Sequence, residues 1–197
     1  PAGLLQGDFK PITLDSFALF MNRGGFDYLG TDRTKLKTDD QLQQVRSVIQ
    51  SNQIDGLVII GGDDSNTNTL VLAESLYDLG CMVVGVPKTI DGDLRYESLL
   101  PISFGFDTAT KVYSQLVGNI LQDAQSVKKY WHFIKLMGRD TSHITLEVAL
   151  QTKPALTLIT EEFIEKGYSL EDILDYICDA IIKRSSHGLN YGVMLVA

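Results

Sequence analysis

Glycine and acidic residues are grouped in two short motifs of this sequence, and both groupings could do chemistry on phosphates. The first motif, at 61–65, reads Gly-Gly-Asp-Asp-Ser. Two glycines let a backbone approach a ligand closely, and a helix that begins there directs N–H groups at a phosphate. Because Asp63 and Asp64 repel bare phosphate, the motif predicts a divalent cation between these carboxylates and the phosphate. The alternative is a Gly-Gly turn in which Asp or Ser is the helix N-cap.

The second motif, at 88–93, reads Lys-Thr-Ile-Asp-Gly-Asp. Asp91 and Asp93 flank the flexible Gly92, a spacing that suits a general base beside a group that orients it or contacts the metal. Lys88 adds a cation that can hold a phosphoryl oxygen. The alternative here is an ordinary Asp-Gly turn with solvated charges.

Two further charged residues follow apolar runs. Arg139 can bind a phosphate or sugar oxygen with two N–H groups, and a cation ahead of a helix is otherwise unfavourable. Glu161 can accept hydrogen bonds from sugar hydroxyls, or it is a loop charge. Together the motifs predict metal-assisted phosphoryl transfer, with donor phosphates and Mg²⁺ at 61–65 and a hydroxyl deprotonated by Asp91.

The elements that would position these residues are predicted by short apolar runs that alternate with amphipathic stretches. Predicted strands lie at 56–60, 82–86, 133–137, 156–160 and 193–196. Predicted helices lie at 66–79, 107–125, 142–151 and 169–185, with a further helix that begins at Thr38. This order predicts an α/β fold with doubly wound, mostly parallel sheets and helices on both faces. The charged residues above follow the strands, where ligands bind in such sheets.

Composition excludes several classes of function. The chain has 25 acidic and 17 basic residues, a net charge of -8, which argues against a nucleic-acid partner. It has no apolar run near 18 residues and no signal-peptide pattern at its start, so we expect a cytoplasmic protein without a membrane partner. Cys81 and Cys178 lack metal-ligand spacing and are expected to be reduced core residues. The apolar ending at 193–196 predicts that the chain is part of a longer one.

The order of five motifs resembles the phosphofructokinase family. They are 23–33, with Arg-Gly-Gly and Leu-Gly-Thr-Asp-Arg, then 61–65, then 87–93, then Met-Gly-Arg at 137–139, and last Glu161. The resemblance covers nearly the whole chain and implies two partial Rossmann-like domains from the middle of the enzyme. Residues 1–104 would belong to the domain that binds the phosphoryl donor, and residues 105–197 to a smaller domain that binds fructose 6-phosphate.

Two residues make the chain similar to the pyrophosphate-dependent branch of that family. Asp64 and Lys88 stand where ATP-dependent members have glycine, and Asp64 would place a carboxylate where the α-phosphate of ATP lies. The resemblance implies reversible transfer from pyrophosphate to the 1-hydroxyl of fructose 6-phosphate. An ATP-dependent member or a non-catalytic regulatory subunit is the alternative, although the retained Asp91 and Asp93 argue against the latter.

The resemblance also implies residue roles, Mg²⁺ as cofactor, and a homodimer in the complete enzyme. Asp63 would hold the Mg²⁺, and Lys129 and Tyr130 would serve the neighbouring subunit's sugar-phosphate site. The chain alone is expected to have little or no activity, because phosphoryl transfer depends on positioning. The remaining implied residues are, for catalysis, Asp91, Asp64 and Lys88; for the sugar phosphate, Thr89, Asp93, Met137, Gly138, Arg139 and Glu161; and for the donor phosphates, Gly61, Gly62 and Arg33.

Overall fold

A computed structural model describes residues 1–96 and 98–197. The chain forms two compact units, Pro1–Pro87 and Lys88–Ala197. The predicted division after Phe104 concerns which ligand each part binds, and it stays a prediction.

The first unit carries five helices and one complete strand among its described residues, and most of a second strand. These are α1 Ala2–Gln6, α2 Leu14–Phe20, α3 Phe26–Leu29, α4 Asp39–Ser51, β1 Gly56–Gly61, α5 Asp63–Leu76 with a 3₁₀ turn Tyr77–Leu79, and β2 Met82–Thr89. The strands are parallel, paired from Gly56 with Met82 to Gly61 with Pro87. Thr38 is the predicted N-cap of α4, and its hydroxyl accepts a hydrogen bond from the Gln41 N–H.

The core of the first unit lies between α4, α5 and one face of the strands. Its buried members are Val45, Ile49, Leu72, Leu76 and Cys81. Burial raises the pKa of the Cys81 thiol, as expected for a core cysteine. β1 differs from the buried strand that its sequence predicts, because its exposure alternates and only one of its faces is covered. On the other face, Val58 is 67% exposed and Ile60 is 54% exposed.

The second unit contains the remaining elements. They are the end of β2, β3 Phe104–Gly105, α6 Phe106–Val127, β4 Trp131–Lys135, α7 His143–Thr152, β5 Leu156–Leu158, α8 Thr160–Lys166, α9 Leu170–Ser185 and β6 Gly192–Val196. β6 lies between β4 and β5, and both pairings are parallel. The last two residues of β2 pair with β3, also in parallel.

The core of the second unit packs around β6. Val193 and Leu195 are fully buried with Val117, Ile144 and other residues of α6 and α7. Met194 is fully buried as well. Since neighbouring side chains of a strand point to opposite faces, both faces of β6 are covered. This unit confirms the predicted α/β fold with a parallel sheet and helices.

Several element boundaries differ from the sequence prediction. β4 begins and ends two residues earlier than predicted, so Leu136 and Met137 follow the strand. The run at 156–160 is a strand only to Leu158, and the unpredicted helix α8 begins at Thr160, where two glutamates favour a first turn. The helices α1, α2 and α3 were also not predicted. Cys178 is exposed, so the prediction of a second core cysteine is wrong.

No helix in the described part of the chain is both long enough and apolar enough to cross a bilayer.

Candidate active site

The first motif joins the end of β1 to the start of α5. Gly62 is the N-cap, and the helix begins at Asp63, three residues before the predicted start at 66. Asp63 and Asp64 are therefore first-turn residues, beside N–H groups that the helix leaves without intrahelical partners. Gly61 is required here, because a Cβ at this position would overlap the side chain of Ser65.

A lysine that the sequence analysis did not single out contacts this motif. The Lys35 ammonium lies 2.9 Å from the Asp64 carboxylate, and both side chains remain largely open to solvent. Through this contact, the segment between α3 and α4 passes the start of α5. Arg33 belongs to the same segment, two residues before Lys35. The contact joins residues about thirty positions apart, and no local pattern predicts it.

The second motif places Asp91 just after β2, held by the buried Thr89. The Thr89 hydroxyl donates a hydrogen bond to the Asp91 carboxylate, with an oxygen–oxygen distance of 2.9 Å. It also accepts one from the Asp91 N–H at 3.2 Å. A single hydroxyl therefore fixes both the backbone and the side chain of the residue predicted to be the base.

Arg139 joins the two carboxylates of this motif. Its Nε lies 3.3 Å from Asp91, and a terminal nitrogen lies 3.6 Å from Asp93. The carboxylate side chains are only 13% and 20% exposed, whereas Arg139 is half open to solvent. The chain does bend at Gly92, but the two charges are paired with Arg139 and are not simply solvated as that alternative expected. The structure brings together two acids and one cation that the sequence could only place at the ends of separate strands.

Gly92 lets the loop between the two aspartates pack closely. Its φ is +78°, in the left-handed region that favours glycine. A Cβ there would lie 2.8 Å from the Phe106 ring and 3.0 Å from Cβ of His143. The close approach keeps the Asp91 loop against the first residues of α6 and α7.

Glu161 makes its contacts with the protein backbone. Its carboxylate accepts a hydrogen bond from the Ser142 N–H at 2.7 Å, and the Ser142 hydroxyl accepts one from the Thr160 N–H at 3.2 Å. Partial desolvation of the Glu161 carboxyl acts to raise its pKa. The hydrogen bonds with Ser142 and the charge of the nearby His143 act to lower the pKa, and together they outweigh the desolvation. The net pKa lies below the ordinary value of 4.5. Glu161 thus ties the start of α8 to the start of α7, and its predicted contact with a sugar stays a prediction.

The other predicted residues lie at exposed positions. Lys88 is on β2, where its backbone pairs with Phe104, and Met137 and Gly138 lie in the loop after β4. Lys129 and Tyr130 precede β4, and Tyr130 has a φ of +68°, which is uncommon for an aromatic residue. The roles predicted for these residues stay predictions.

Two hydroxyl residues that the sequence analysis missed also contact the Asp91 loop. Ser103 donates to the Thr89 carbonyl, and Thr141 donates to the Asp91 carbonyl. Neither residue belongs to a recognisable motif, so only their position in the fold reveals them.

Comparison with known sequences gives a match over almost the whole chain. The family described as "Phosphofructokinase" matches residues 2–197. Pyrophosphate–fructose 6-phosphate 1-phosphotransferase of Treponema pallidum is 50% identical over the whole chain, and the enzyme of the same name from Porphyromonas gingivalis is 48% identical. A subunit alpha of that name from Solanum tuberosum is 41% identical over 98% of the chain. The chain spans 34%, 36% and 32% of these relatives, about a third of their length.

Solved structures share the fold at lower sequence identity. Phosphofructokinase of Pichia pastoris in the T-state aligns with 100% of this chain and 22% of its own, with a TM-score of 0.78 and 21% identity. A pyrophosphate-dependent phosphofructokinase from Marinobacter aquaeolei aligns with 86% of this chain and 42% of its own, with a TM-score of 0.66 and 20% identity.

Proposed function

Because the chain belongs to the phosphofructokinase family, we propose that the full-length protein transfers a phosphoryl group reversibly from pyrophosphate to fructose 6-phosphate. The relatives named above, at 48% to 50% identity, carry the name of this reaction. The observation that carries the proposal is the cluster of Thr89, Asp91, Asp93 and Arg139, which combines an oriented base with a cation.

Asp91 is suited to accept the proton of the sugar 1-hydroxyl. As that proton moves to the carboxylate, the hydroxyl oxygen bonds to the transferred phosphorus, and the bond from this phosphorus to the bridging oxygen breaks. Inorganic phosphate leaves, and fructose 1,6-bisphosphate is formed. Thr89 orients the carboxylate throughout, and Arg139 supplies positive charge to an anionic substrate.

The donor side of the proposal rests on the start of α5. Mg²⁺ is commonly held by one or two carboxylates together with phosphate oxygens and water. The described residues contain no cluster of three or more metal-ligating side chains, and a single carboxylate, Asp63, fits that pattern of coordination. When bound, the ion would neutralise charge on the phosphate oxygens. By the family resemblance, Lys88 and Arg33 would each supply a cation to the donor phosphates.

Asp64 supports pyrophosphate over ATP as the donor. A carboxylate in the first turn of α5 disfavours any further phosphate group placed beside it. The Lys35 ammonium contacts this carboxylate but, at a largely exposed position, offsets its charge only in part. The Asp64 carboxylate is the physical reason for proposing the pyrophosphate-dependent reaction.

We further propose a homodimer and a cytoplasmic location for the full-length protein. The support for the dimer is the exposed pair Lys129 and Tyr130, which by resemblance serves the partner's sugar-phosphate site. The support for the location is the acidic, ordinary globular composition.

The test is a coupled assay of the full-length protein with fructose 6-phosphate, Mg²⁺ and either pyrophosphate or ATP. We expect fructose 1,6-bisphosphate with pyrophosphate, and the reverse reaction with inorganic phosphate. Omission of Mg²⁺ should abolish turnover. Activity with ATP alone would overturn the choice of donor, and inactivity with both donors would overturn the proposed reaction.

A further inference from the structure

We propose that Ser103 and Thr141 are positioning residues for Asp91, whose hydroxyls fix the backbone of the loop that carries this base. The inference rests on the proposed function, because it gives a role in phosphoryl transfer to two residues that lie outside the motifs.

Ser103 holds the loop where it leaves β2. Its side chain is deeply buried, with the residue 4% exposed, and its hydroxyl donates a hydrogen bond to the Thr89 carbonyl at 2.7 Å. A hydrogen bond made away from water is electrostatically stronger than one at the surface. Thr89 is the residue whose hydroxyl contacts the Asp91 carboxylate, so Ser103 fixes the residue that orients the base.

Thr141 holds the loop from a more distant part of the chain. Its hydroxyl donates to the Asp91 carbonyl at 3.1 Å, across fifty residues of sequence. Thr141 is two residues after Arg139, which contacts the Asp91 carboxylate itself. The segment that carries the cation is therefore tied to the backbone of the base.

The two hydroxyls act on consecutive parts of one short loop. Ser103 binds the carbonyl of Thr89 and Thr141 binds the carbonyl of Asp91, so the backbone is fixed on both sides of Ile90. Neither hydroxyl is bonded to a carboxylate of residues 1–96 or 98–197, and so neither should take part in proton transfer. Their effect should be on geometry, and a displacement of about 1 Å can cost about 100-fold in rate.

The experiment compares variants of the full-length protein that keep or remove each hydroxyl. Thr141→Val removes the hydroxyl at nearly constant volume, whereas Thr141→Ser retains it, and Ser103→Ala removes the other. We expect Thr141→Val and Ser103→Ala to lower kcat with pyrophosphate about 10- to 100-fold, with KM for fructose 6-phosphate changed less than about threefold. Thr141→Ser should recover kcat to within about threefold of wild type.

The outcomes separate positioning from general stability and from the proposed function. Thermal midpoints are measured for each variant, and assays are run well below the lowest of them. Should Ser103→Ala fail to fold, the Thr141 pair decides. A Thr141→Val variant with wild-type kcat, or a Thr141→Ser variant as slow as Thr141→Val, would overturn the inference. A wild-type protein without pyrophosphate-dependent activity would instead overturn the proposed function.

Discussion

Asp91 is the residue whose contacts bear most directly on the proposed reaction. It accepts a hydrogen bond from the Thr89 hydroxyl, lies beside Arg139, and has a side chain that is mostly buried. A carboxylate in this setting keeps a fixed direction, which a general base requires. Asp93 contacts the same guanidinium, so the second acid helps to hold the cation in place.

The first prediction concerns this base. Asp91→Asn in the full-length protein should lower kcat about 10²- to 10⁴-fold, because the amide keeps the shape but cannot accept the proton. Steady-state kinetics with pyrophosphate measures the effect. Asp40→Asn, which changes an exposed acid in the first turn of α4, is the matched control and should leave kcat unchanged. Equal rates for wild type and Asp91→Asn would exclude Asp91 as the base.

The second prediction concerns the donor. Asp64→Gly removes the carboxylate at the start of α5 and should raise activity with ATP relative to pyrophosphate by about tenfold or more, since like-charge contacts cost several kcal/mol. The ratio of kcat/KM for the two donors is the measurement. Asp39→Gly, in the first turn of α4, controls for a glycine at an acidic helix start. An unchanged ratio would contradict the charge argument.

At the scale of elements, the starts of α7 and α8 are joined through Glu161 and Ser142. Each residue accepts a hydrogen bond from a backbone N–H of the other helix start, at 2.7 and 3.2 Å. The helix α7 also begins just after the loop that carries Arg139 and Thr141. The junction therefore supports the loop on which the cation of the candidate site lies.

The third prediction is a pH dependence of this junction. Because the folded-state pKa of Glu161 lies below its ordinary value of 4.5, its stabilisation is fully present above that value. It is lost as the pH falls through the lower, folded-state pKa. Urea unfolding between about pH 3 and pH 7 should therefore show an acid loss of stability that is smaller in Glu161→Gln.

Glu162→Gln is the control for this measurement, since it changes the neighbouring acid in the same helical turn. It should retain the acid dependence of the wild-type chain. If Glu161→Gln and wild type lose stability equally as the pH falls, the Glu161 carboxylate does not contribute to the junction.

At the scale of the whole molecule, the chain contains two separate hydrophobic cores. One holds Leu72 between α4 and α5, and the other holds Leu195 on β6. The buried members of the two cores include no common residue. The division of the chain into two compact units follows from this arrangement.

The fourth prediction tests the two cores. Leu72→Ala and Leu195→Ala should each lower the free energy of unfolding by about 2–5 kcal/mol, because each leaves a cavity. The double variant should show the sum, since independent sites without shared partners are additive within about 0.5 kcal/mol. Chemical denaturation followed by circular dichroism, and by fluorescence of Trp131 on β4, measures both effects. The exposed Leu170→Ala is the control, and strong non-additivity would contradict two independent cores.

The sequence alone determined the alternation of strands and helices and the motifs that follow the strands. These are local signals: an apolar run of five residues predicts a strand, and Thr38 predicts the start of α4 whatever lies elsewhere. The same locality explains the errors. The run at 156–160 has one apolar pattern, but α8 begins inside it, and the exposure of Cys178 depends on what packs against α9.

The tertiary structure decided which of these residues meet. Arg139 lies forty-eight positions after Asp91, and the contacts of Ser103, Thr141 and Lys35 likewise join segments that are distant along the chain. Glu161 has a carboxylate that could bind sugar hydroxyls, yet in the fold this carboxylate accepts a hydrogen bond from the backbone N–H of Ser142. Such contacts form only when the chain folds and brings these segments together, and no pattern of neighbouring residues encodes them.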